Sequence, residues 1–308
     1  MQIISLNSKK EITLGKSDTV SCTVGNFDGV HLGHAALIKK AAEKGDCTFS
    51  AVWTFIEHTR KDARLLTSFE QRADLFQAAG VDLVILEDFD RVKDMSPRQF
   101  VYGLLYEKCH VRRAVCGYDF HFGRGADGNA DDFVKYFSSL GAQAQTVDPV
   151  RTDNGEIISS SLIRQAVEEG RMVDAEAMLG RRYSIRFPVC HGQHLASKLG
   201  VPTINQIFPE NFALPLFGVY ACLCVIDGIP YHAVSNVGVR PTVFDTAAHV
   251  NCETHIIGFD GDLYGKEITV EFVEFIRREK KFPSLDELSL AIRRDAETAE
   301  KLLSERGV

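Results

Sequence analysis

The feature that most constrains the fold is an alternation of apolar runs with helical patterns, which extends from Val20 to about Leu179. Runs typical of strands are followed by segments of helix length that carry capping signals or end at glycine. The predicted strands cover 20–24, 47–55, 81–86, 111–116 and 142–147. This alternation favours an α/β domain in which helices cover both faces of a parallel sheet. In such sheets ligands bind beyond the carboxyl ends of the strands.

Capping signals locate the helices of this first half. The sequence Thr67-Ser68-Phe69-Glu70 fits a capping box and predicts a helix that ends at Gly80. Ser96 is predicted to cap another helix, with Pro97 at its first position and Gln99 at its third. A third helix is predicted over 35–44, ahead of a glycine.

A glycine-punctuated segment from Thr23 to His34 joins the first predicted strand to the helix over 35–44. Its glycines, at 25, 29 and 33, would let a ligand approach the backbone. His31 and His34 are three residues apart, which places both on one face of the first helical turn. The free N–H groups at a helix start form a natural anion site. The alternative interpretation is a tight turn with two surface histidines.

Three further polar loops follow later predicted strands or open a helix: 54–58, 117–125 and 158–164. In the last of them, serine hydroxyls and Arg164 suit phosphate oxygens, although plain helix capping is the alternative. For Phe120 and Phe122, in the loop 117–125, the alternative interpretation is packing in the hydrophobic core. Together the loops predict a nucleotide site. Transfer of a nucleotidyl group requires stabilised charge on the phosphates and needs no protein nucleophile.

The pattern changes after Gly180, where we place the boundary between two domains, 1–180 and 181–308. The predicted strands are now 187–190, 218–226, 231–237, 250–257 and 268–275, with a hairpin signal at Asp227-Gly228. A capping box from Ser284 to Glu287 opens a final helix. Its inward residues are predicted to be Leu288, Ile292, Ala299, Leu302 and Leu303. An antiparallel barrel closed by one C-terminal helix is the economical interpretation.

Two features of this half present side-chain oxygen atoms that suit metal binding or proton transfer. Thr203 and Asn205 follow Pro202 and offer the hard oxygen ligands that Mg²⁺ prefers, with an ordinary turn as the alternative. Glu253 lies in a predicted strand among mostly uncharged neighbours, where a carboxylate can act as a general base. The alternative for Glu253 is a solvated strand face.

Composition excludes several classes of protein. A net charge of −7 argues against nucleic acid as the main partner. The longest apolar run, 214–226, is interrupted by Pro215 and Gly218 and is too short to span a bilayer. The eight cysteines form no C-x-x-C motif, and without an export signal they are expected to be reduced thiols in the cytosol. No membrane partner is expected, and a weak homo-oligomer stays open.

The sequence G-N-F-D-G-V-H-L-G-H, residues 25–34, resembles the H-x-G-H signature of nucleotidyltransferases. More closely, it looks like the flavin adenylyltransferase module of prokaryotic bifunctional riboflavin kinase/FAD synthetases. Segments 117–123 and 158–164 match later motifs of that module in order and spacing, so the resemblance covers nearly all of 15–180. One departure is that Glu57 and Thr59 flank His58 where the family usually has proline.

The resemblance implies a Rossmann-like nucleotidyltransferase domain that binds ATP. In it, His31 and His34 would stabilise the transition state at the α-phosphate. The residues that would bind the nucleotide or place its phosphates are Gly25, Phe27, Gly33, Asp119, Ser161 and Arg164, of which Arg164 would also be catalytic.

The second half resembles the riboflavin kinase domain of the same family, which implies a six-stranded antiparallel β-barrel with a C-terminal helix. Pro202 to Asn205 resembles a P-T-x-N motif, and 262–265 and 277–282 also match. By resemblance, Thr203 and Asn205 would hold Mg²⁺ and ATP phosphates, and Glu253 would activate the riboflavin 5′-hydroxyl. Ala196-Ser197 stands where the family has Gly-Arg, and Val201 replaces an aromatic residue.

The expected protein is therefore a bifunctional enzyme that makes FMN from riboflavin and FAD from FMN, with ATP and Mg²⁺. Ala196-Ser197 motivates one alternative, an FMN adenylyltransferase with an inactive or weak kinase domain. A second alternative is a non-catalytic flavin-binding regulator. The presence of His31, His34, Arg164 and Glu253 argues against the regulator.

Overall fold

The computed structural model describes residues 1–6, 14–55, 64–191, 201–240 and 249–308. The chain divides into two compact units, the first made of Met1–Ala63 and Ser68–Ser159 and the second of Arg64–Thr67 and Ser160–Val308. The loop residues Glu57, His58 and Thr59 and the pair Ala196-Ser197 lie outside the described residues.

The first unit contains the predicted parallel sheet. Its strands pair in the order β1-β4-β3-β2-β5-β8, and every neighbouring pair is parallel. β6 and β7 form a separate small antiparallel pair. The strands of this unit are β1 (Gln2–Ser5), β2 (Val20–Val24), β3 (Phe49–Phe55), β4 (Leu83–Glu87), β5 (Val111–Gly117), β6 (His121–Phe122), β7 (Gly128–Asn129) and β8 (Gln143–Val147). The prediction of a parallel sheet is confirmed, and β1 is an additional edge strand.

Helices connect these strands, and two apolar clusters lie on the two faces of the sheet. Ala51 and Trp53 belong to one cluster and Val52 to the other, because successive strand residues point to opposite faces. Burial on both faces explains why the two central strands, β2 and β3, contain no charged residue. The helices are α1 (Leu32–Ala42), α2 (Phe69–Ala78), α3 (Phe89–Val92), a π-helix (Gln99–Lys108) and α4 (Ala130–Ser139).

The start of α2 differs by one residue from the prediction. Ser68, not Thr67, is the N-cap: its hydroxyl accepts from the Gln71 N–H, and Gln71 returns a bond to the Ser68 N–H. Two overlapping patterns fit the capping box, and the sequence alone does not choose between them. The predicted cap at Ser96 is supported by two reciprocal bonds: the Gln99 N–H donates to the Ser96 hydroxyl, and the Ser96 N–H donates to the Gln99 Oε1. The helix that follows is of π type over Gln99–Lys108.

The second unit contains an antiparallel sheet in the order β10-β13-β12-β11-β14-β9. The Cys190 N–H donates to the Asn205 carbonyl at 2.8 Å, which links the chain after β9 to β10 and joins the two ends of the sheet. The elements are α5 (Ser160–Glu168), α6 (Met172–Leu179), β9 (Tyr183–Pro188), β10 (Thr203–Ile207), β11 (Gly218–Ile226), β12 (Ile229–Arg240), β13 (His249–Ile256), β14 (Glu267–Arg278) and α7 (Leu285–Glu305). This architecture confirms the predicted antiparallel fold with its C-terminal helix.

The predicted hairpin and final helix are in place. Asp227 and Gly228 have φ angles of 50° and 80°, as a two-residue turn of type I′ requires. Ser284 caps α7, whose Ala299 and Leu303 are fully buried against the sheet. A chelated ion pair also ties α7 to β14, since the Arg277 Nε and Nη2 atoms donate to the two Asp295 carboxylate oxygens at 2.9 and 2.6 Å.

None of the eight cysteines, all of which lie in the described ranges, forms a disulfide, and six of them are buried. Burial raises the pKa of Cys109 and Cys116 in the first unit to about 12, and in the second unit it raises the pKa of Cys224 to about 12 and of Cys252 to about 11. Cys22 and Cys222 are the other two buried thiols, one in each unit. In the described ranges, none of the helices has the length and apolar character needed to cross a membrane.

Candidate active sites

The turn between β2 and α1 has an unusual backbone. Phe27, Gly29 and Val30 have φ angles of 52°, 80° and 39°. Glycine adopts this region freely, but phenylalanine and the β-branched valine do so only under constraint. Such backbone strain concentrates at ligand and catalytic sites.

His31 is the N-cap of α1 rather than part of its first turn, which corrects the predicted position. Its Nδ1 accepts from the His34 backbone N–H at 3.3 Å. The two imidazole rings stack, with centroids 3.6 Å apart and planes 20° apart. Because Nδ1 of His31 is an acceptor, the proton of its neutral ring lies on Nε2. The two histidines therefore act as one stacked pair at the start of α1.

Two of the predicted glycines are required by the side chains of this turn. A Cβ on Gly33 would lie 3.1 Å from both Cε1 and Nδ1 of His31. A Cβ on Gly25 would lie 3.2 Å from Cζ of Phe27. Both distances are shorter than ordinary carbon contacts. The glycines thus let the His31 and Phe27 rings lie directly against the backbone.

His34 is held in its uncharged form. Its pKa lies well below the ordinary value, chiefly because of burial and then because of electrostatic interactions with His31 and Arg72. Its Nδ1 is buried and has no hydrogen-bond partner in the described part of the chain, so an N–H there would gain no acceptor. The edge-to-face contact with Phe27, at a centroid distance of 5.2 Å, fixes the ring from the side.

The remaining predicted residues of the first half lie in other elements. Asp119 is exposed after β5, and its Oδ1 lies close to Gly117, where a Cβ would be 3.1 Å away. Phe122 is buried and stacks with Phe120 at 5.3 Å, so core packing is the correct interpretation of that pair. Ser161 and Arg164 belong to α5 of the second unit, where Ser161 is exposed and the Arg164 Nε donates to the Arg64 carbonyl at 2.6 Å.

In the second unit, the structure brings Thr203, Asn205 and Glu253 together. The first two lie in β10, which is a strand and not the ordinary turn considered as the alternative, so they face the same side of the sheet. Asn205 pairs with Glu253 of β13 in the strand register, and the Thr203 hydroxyl donates to the Glu253 Oε1 at 2.8 Å. A hydroxyl, an amide and a carboxylate therefore converge on one face.

Two asparagines that the sequence analysis did not single out complete this group. The Asn251 Nδ2 donates to the Asn205 Oδ1 at 2.8 Å, and both residues are buried. Asn236 of β12 pairs with Glu253 in the register and donates to Glu279 at 3.2 Å. The i, i+2 spacing of Asn251 and Glu253 was the sequence signal that they share a strand face.

The donor set of this group fits a hard cation. The Thr203 hydroxyl, the Asn205 Oδ1 and the Glu253 carboxylate supply the oxygen ligands that Mg²⁺ prefers. Mg²⁺ binds through few protein ligands when substrate phosphates and water complete its shell. Across the described residues, no group of three or more His, Cys, Asp or Glu side chains could hold a metal alone. Any cation here would share its coordination with a substrate.

Comparisons with known proteins assign each half. Residues 15–162 match the family model of FAD synthetase, and residues 179–303 match that of riboflavin kinase. The chain is 37% identical over 291 residues to the bifunctional riboflavin kinase/FMN adenylyltransferase of Pseudomonas fluorescens, covering 91% of this chain and 92% of that one. It is 33% identical over 289 residues to the enzyme of the same name from Escherichia coli K12, covering 90% of each.

A solved structure has the same fold over nearly the whole chain. A crystal structure described as a macrolide-efflux protein from Streptococcus pneumoniae superimposes with a TM-score of 0.83 at 27% sequence identity. The match covers 97% of this chain and 98% of that one.

Proposed function

The chain belongs to the bifunctional riboflavin kinase/FMN adenylyltransferase family, and from this premise we propose which residues carry each reaction. The enzyme converts riboflavin to FMN with its C-terminal kinase domain and FMN to FAD with its N-terminal adenylyltransferase domain. We place the boundary between the two domains at residue 180. The family models, which end at 162 and begin at 179, support that position.

The stacked histidines are the proposed centre of adenylyl transfer. An FMN phosphate oxygen forms a bond to the α-phosphorus of ATP while the bond to pyrophosphate breaks. The Nε2–H of His31 and the neutral ring of His34, at the N-terminus of α1, stabilise the charge that develops on the α-phosphate. The stacking distance of 3.6 Å is the observation that carries this proposal, because it makes the two rings one preorganised group.

The other residues of this reaction have binding roles in the proposal. Gly25, Phe27 and Gly33 shape the turn that receives the nucleotide. Asp119 and Ser161 place ATP, and Arg164 neutralises phosphate charge. The resemblance of 117–123 and 158–164 to the family motifs supports these assignments.

Glu253 is the proposed general base of the kinase reaction. It takes the proton of the riboflavin 5′-hydroxyl, whose oxygen bonds to the γ-phosphorus of ATP as ADP leaves. Both families use ATP, typically with a divalent metal. We propose Mg²⁺, held by Thr203 and Asn205, which would neutralise phosphate charge when bound. The 2.8 Å bond between Thr203 and Glu253 supports a shared site.

Substitutions in each site separate the two reactions. Wild-type protein with riboflavin, ATP and Mg²⁺ is expected to form FMN and then FAD, resolved by chromatography. Glu253→Gln should stop FMN formation yet still convert supplied FMN to FAD, whereas the pair His31→Ala/His34→Ala should accumulate FMN. Wild-type protein that makes FAD from FMN but no FMN from riboflavin would establish the silent-kinase alternative. Flavin binding without any turnover would establish the regulator.

We propose a cytosolic location for the enzyme. The eight cysteines, all within the described ranges, form no disulfide, which suits a reducing compartment. The proposed partners are the small molecules ATP, riboflavin and FMN, without nucleic acid or membrane.

A further inference from the structure

Arg72 is a nearly buried cation that holds the backbone of the turn before α1. It lies in the first turn of α2 and is only 4% exposed. Its Nη1 donates to the Asn26 carbonyl at 2.7 Å, and the Thr54 hydroxyl donates to the same oxygen at 3.3 Å. The residue that follows this carbonyl is Phe27, which has the left-handed backbone. Arg72 therefore fixes the peptide at which the chain enters its strained conformation.

The charge of Arg72 is retained at a cost. Burial lowers its pKa, and the nearby carboxylates of Asp28 and Glu70 oppose that effect. Asp28 is 1% exposed, so an anion of this turn and the cation of α2 are both buried. Replacing such a pair by apolar groups is often neutral or stabilising. Stability alone therefore does not explain why a buried arginine is present at position 72.

A second contact connects α2 to the histidine pair. Phe76, one turn after Arg72, packs edge-to-face on Phe27 at 5.9 Å, and Phe27 packs on His34 at 5.2 Å. Arg72 also acts on His34 electrostatically. The titratable groups that act on His34 are His31 from the N-cap of α1 and Arg72 from α2, and Asp28 acts in turn on Arg72.

We propose that Arg72 is a positioning residue for adenylyl transfer, which fixes the Asn26 carbonyl and thereby the turn that leads into the histidine pair. This inference rests on the proposed role of the histidine pair. Arg72 itself is not assigned a contact with substrate. If its only role were to neutralise Asp28, removing both charges together would leave catalysis unchanged.

The test uses three variants of the full chain: Arg72→Lys, Asp28→Asn and the double variant Arg72→Met/Asp28→Asn. The double variant leaves no unpaired buried charge, so it is expected to fold. Urea unfolding of the same preparation measures the folded fraction of the first unit, and riboflavin phosphorylation is the control for the second. We expect kcat for FAD formation to fall at least tenfold in Arg72→Lys and in the double variant, with kinase activity within twofold of wild type. Asp28→Asn, which keeps Arg72, should retain more activity than either.

The pH dependence distinguishes positioning from a structural role. Without the positive charge, His34 should bind its proton at higher pH, so the acid limb of the kcat profile in the double variant should move to higher pH. The NMR titration of the His34 ring should move in the same direction. Wild-type kcat together with an unchanged titration would overturn the proposal. If His34→Ala retained full activity, the proposed function of the pair would fail, while the NMR shift would still report the action of Arg72.

Discussion

Gly33→Ala is a small change that tests whether the position of the His31 ring matters for adenylyl transfer. The added methyl group would lie 3.1 Å from two atoms of that ring, whereas carbon atoms prefer separations of about 3.5–4.0 Å. The ring must therefore move by roughly 0.4 Å or more. That displacement would disturb both the bond from the His34 N–H to Nδ1 and the stack with His34.

The expected effect on stability is small because two contributions oppose each other. Alanine is favoured over glycine within a helix by up to about 1 kcal/mol. Loss of a helix N-cap costs about 0.5–2 kcal/mol. The free energy of unfolding should therefore change by no more than about 1 kcal/mol. Catalysis should respond more strongly, with kcat/KM for FAD formation lower by about tenfold, since a misplacement of about 1 Å can cost about 100-fold.

The assay measures FAD formation from FMN and ATP, with riboflavin phosphorylation and urea unfolding measured on the same preparation. Gly103→Ala is the matched control, because Gly103 is an exposed helical glycine whose added Cβ would meet nothing within 4 Å. The control should retain wild-type rates in both reactions. If Gly33→Ala formed FAD within twofold of the wild-type rate, the reasoning that links ring position to catalysis would be refuted.

Two further predictions concern stability. His34 is neutral when folded and takes up a proton when unfolded below about pH 6.5, so acidification should favour unfolding by up to about 1.4 kcal/mol per pH unit. Urea unfolding at pH 7.5 and 5.5 should show this loss in wild type and a smaller loss in His34→Gln; equal losses would contradict it. Asp295→Ala removes the chelated partner of Arg277 and should lower the free energy of unfolding by about 1–3 kcal/mol. Glu305→Ala is the control. It removes an exposed ion pair, in which the Glu305 Oε1 lies 3.8 Å from the Lys301 Nζ, and should lower the free energy of unfolding by less than about 1 kcal/mol.

The sequence was sufficient for the elements whose stability is local. The strand at Gly218–Ile226 and the turn at Asp227-Gly228 follow from side-chain pattern and glycine geometry alone. β1 and β10 were not predicted as strands, because each is short and owes its existence to its neighbour. β1 pairs with Leu83–Leu86, and β10 pairs with Asn251–His255.

In the candidate sites, too, contacts between residues distant in the sequence could not be predicted. The motif located His31 and His34, but histidine is not a usual N-cap, so the stacked geometry was not predictable from spacing. Asn251 donates a hydrogen bond to Asn205, and Arg72 donates one to Asn26; in both cases the partner lies 46 residues away in the sequence. A local pattern contains no information about such contacts. Only the fold brings these residues to the groups that they orient.

The distribution of the buried thiols gives each unit its own intrinsic reporter of opening. Cys22, Cys109 and Cys116 lie in the first unit, and Cys222, Cys224 and Cys252 lie in the second. A thiol that is buried, with a raised pKa, reacts with an alkylating reagent only after the structure around it opens. Pulse alkylation followed by peptide mass spectrometry can therefore follow the local unfolding of both units at once. In the wild-type protein, the same measurement shows whether a ligand of one active site slows the opening of that unit alone.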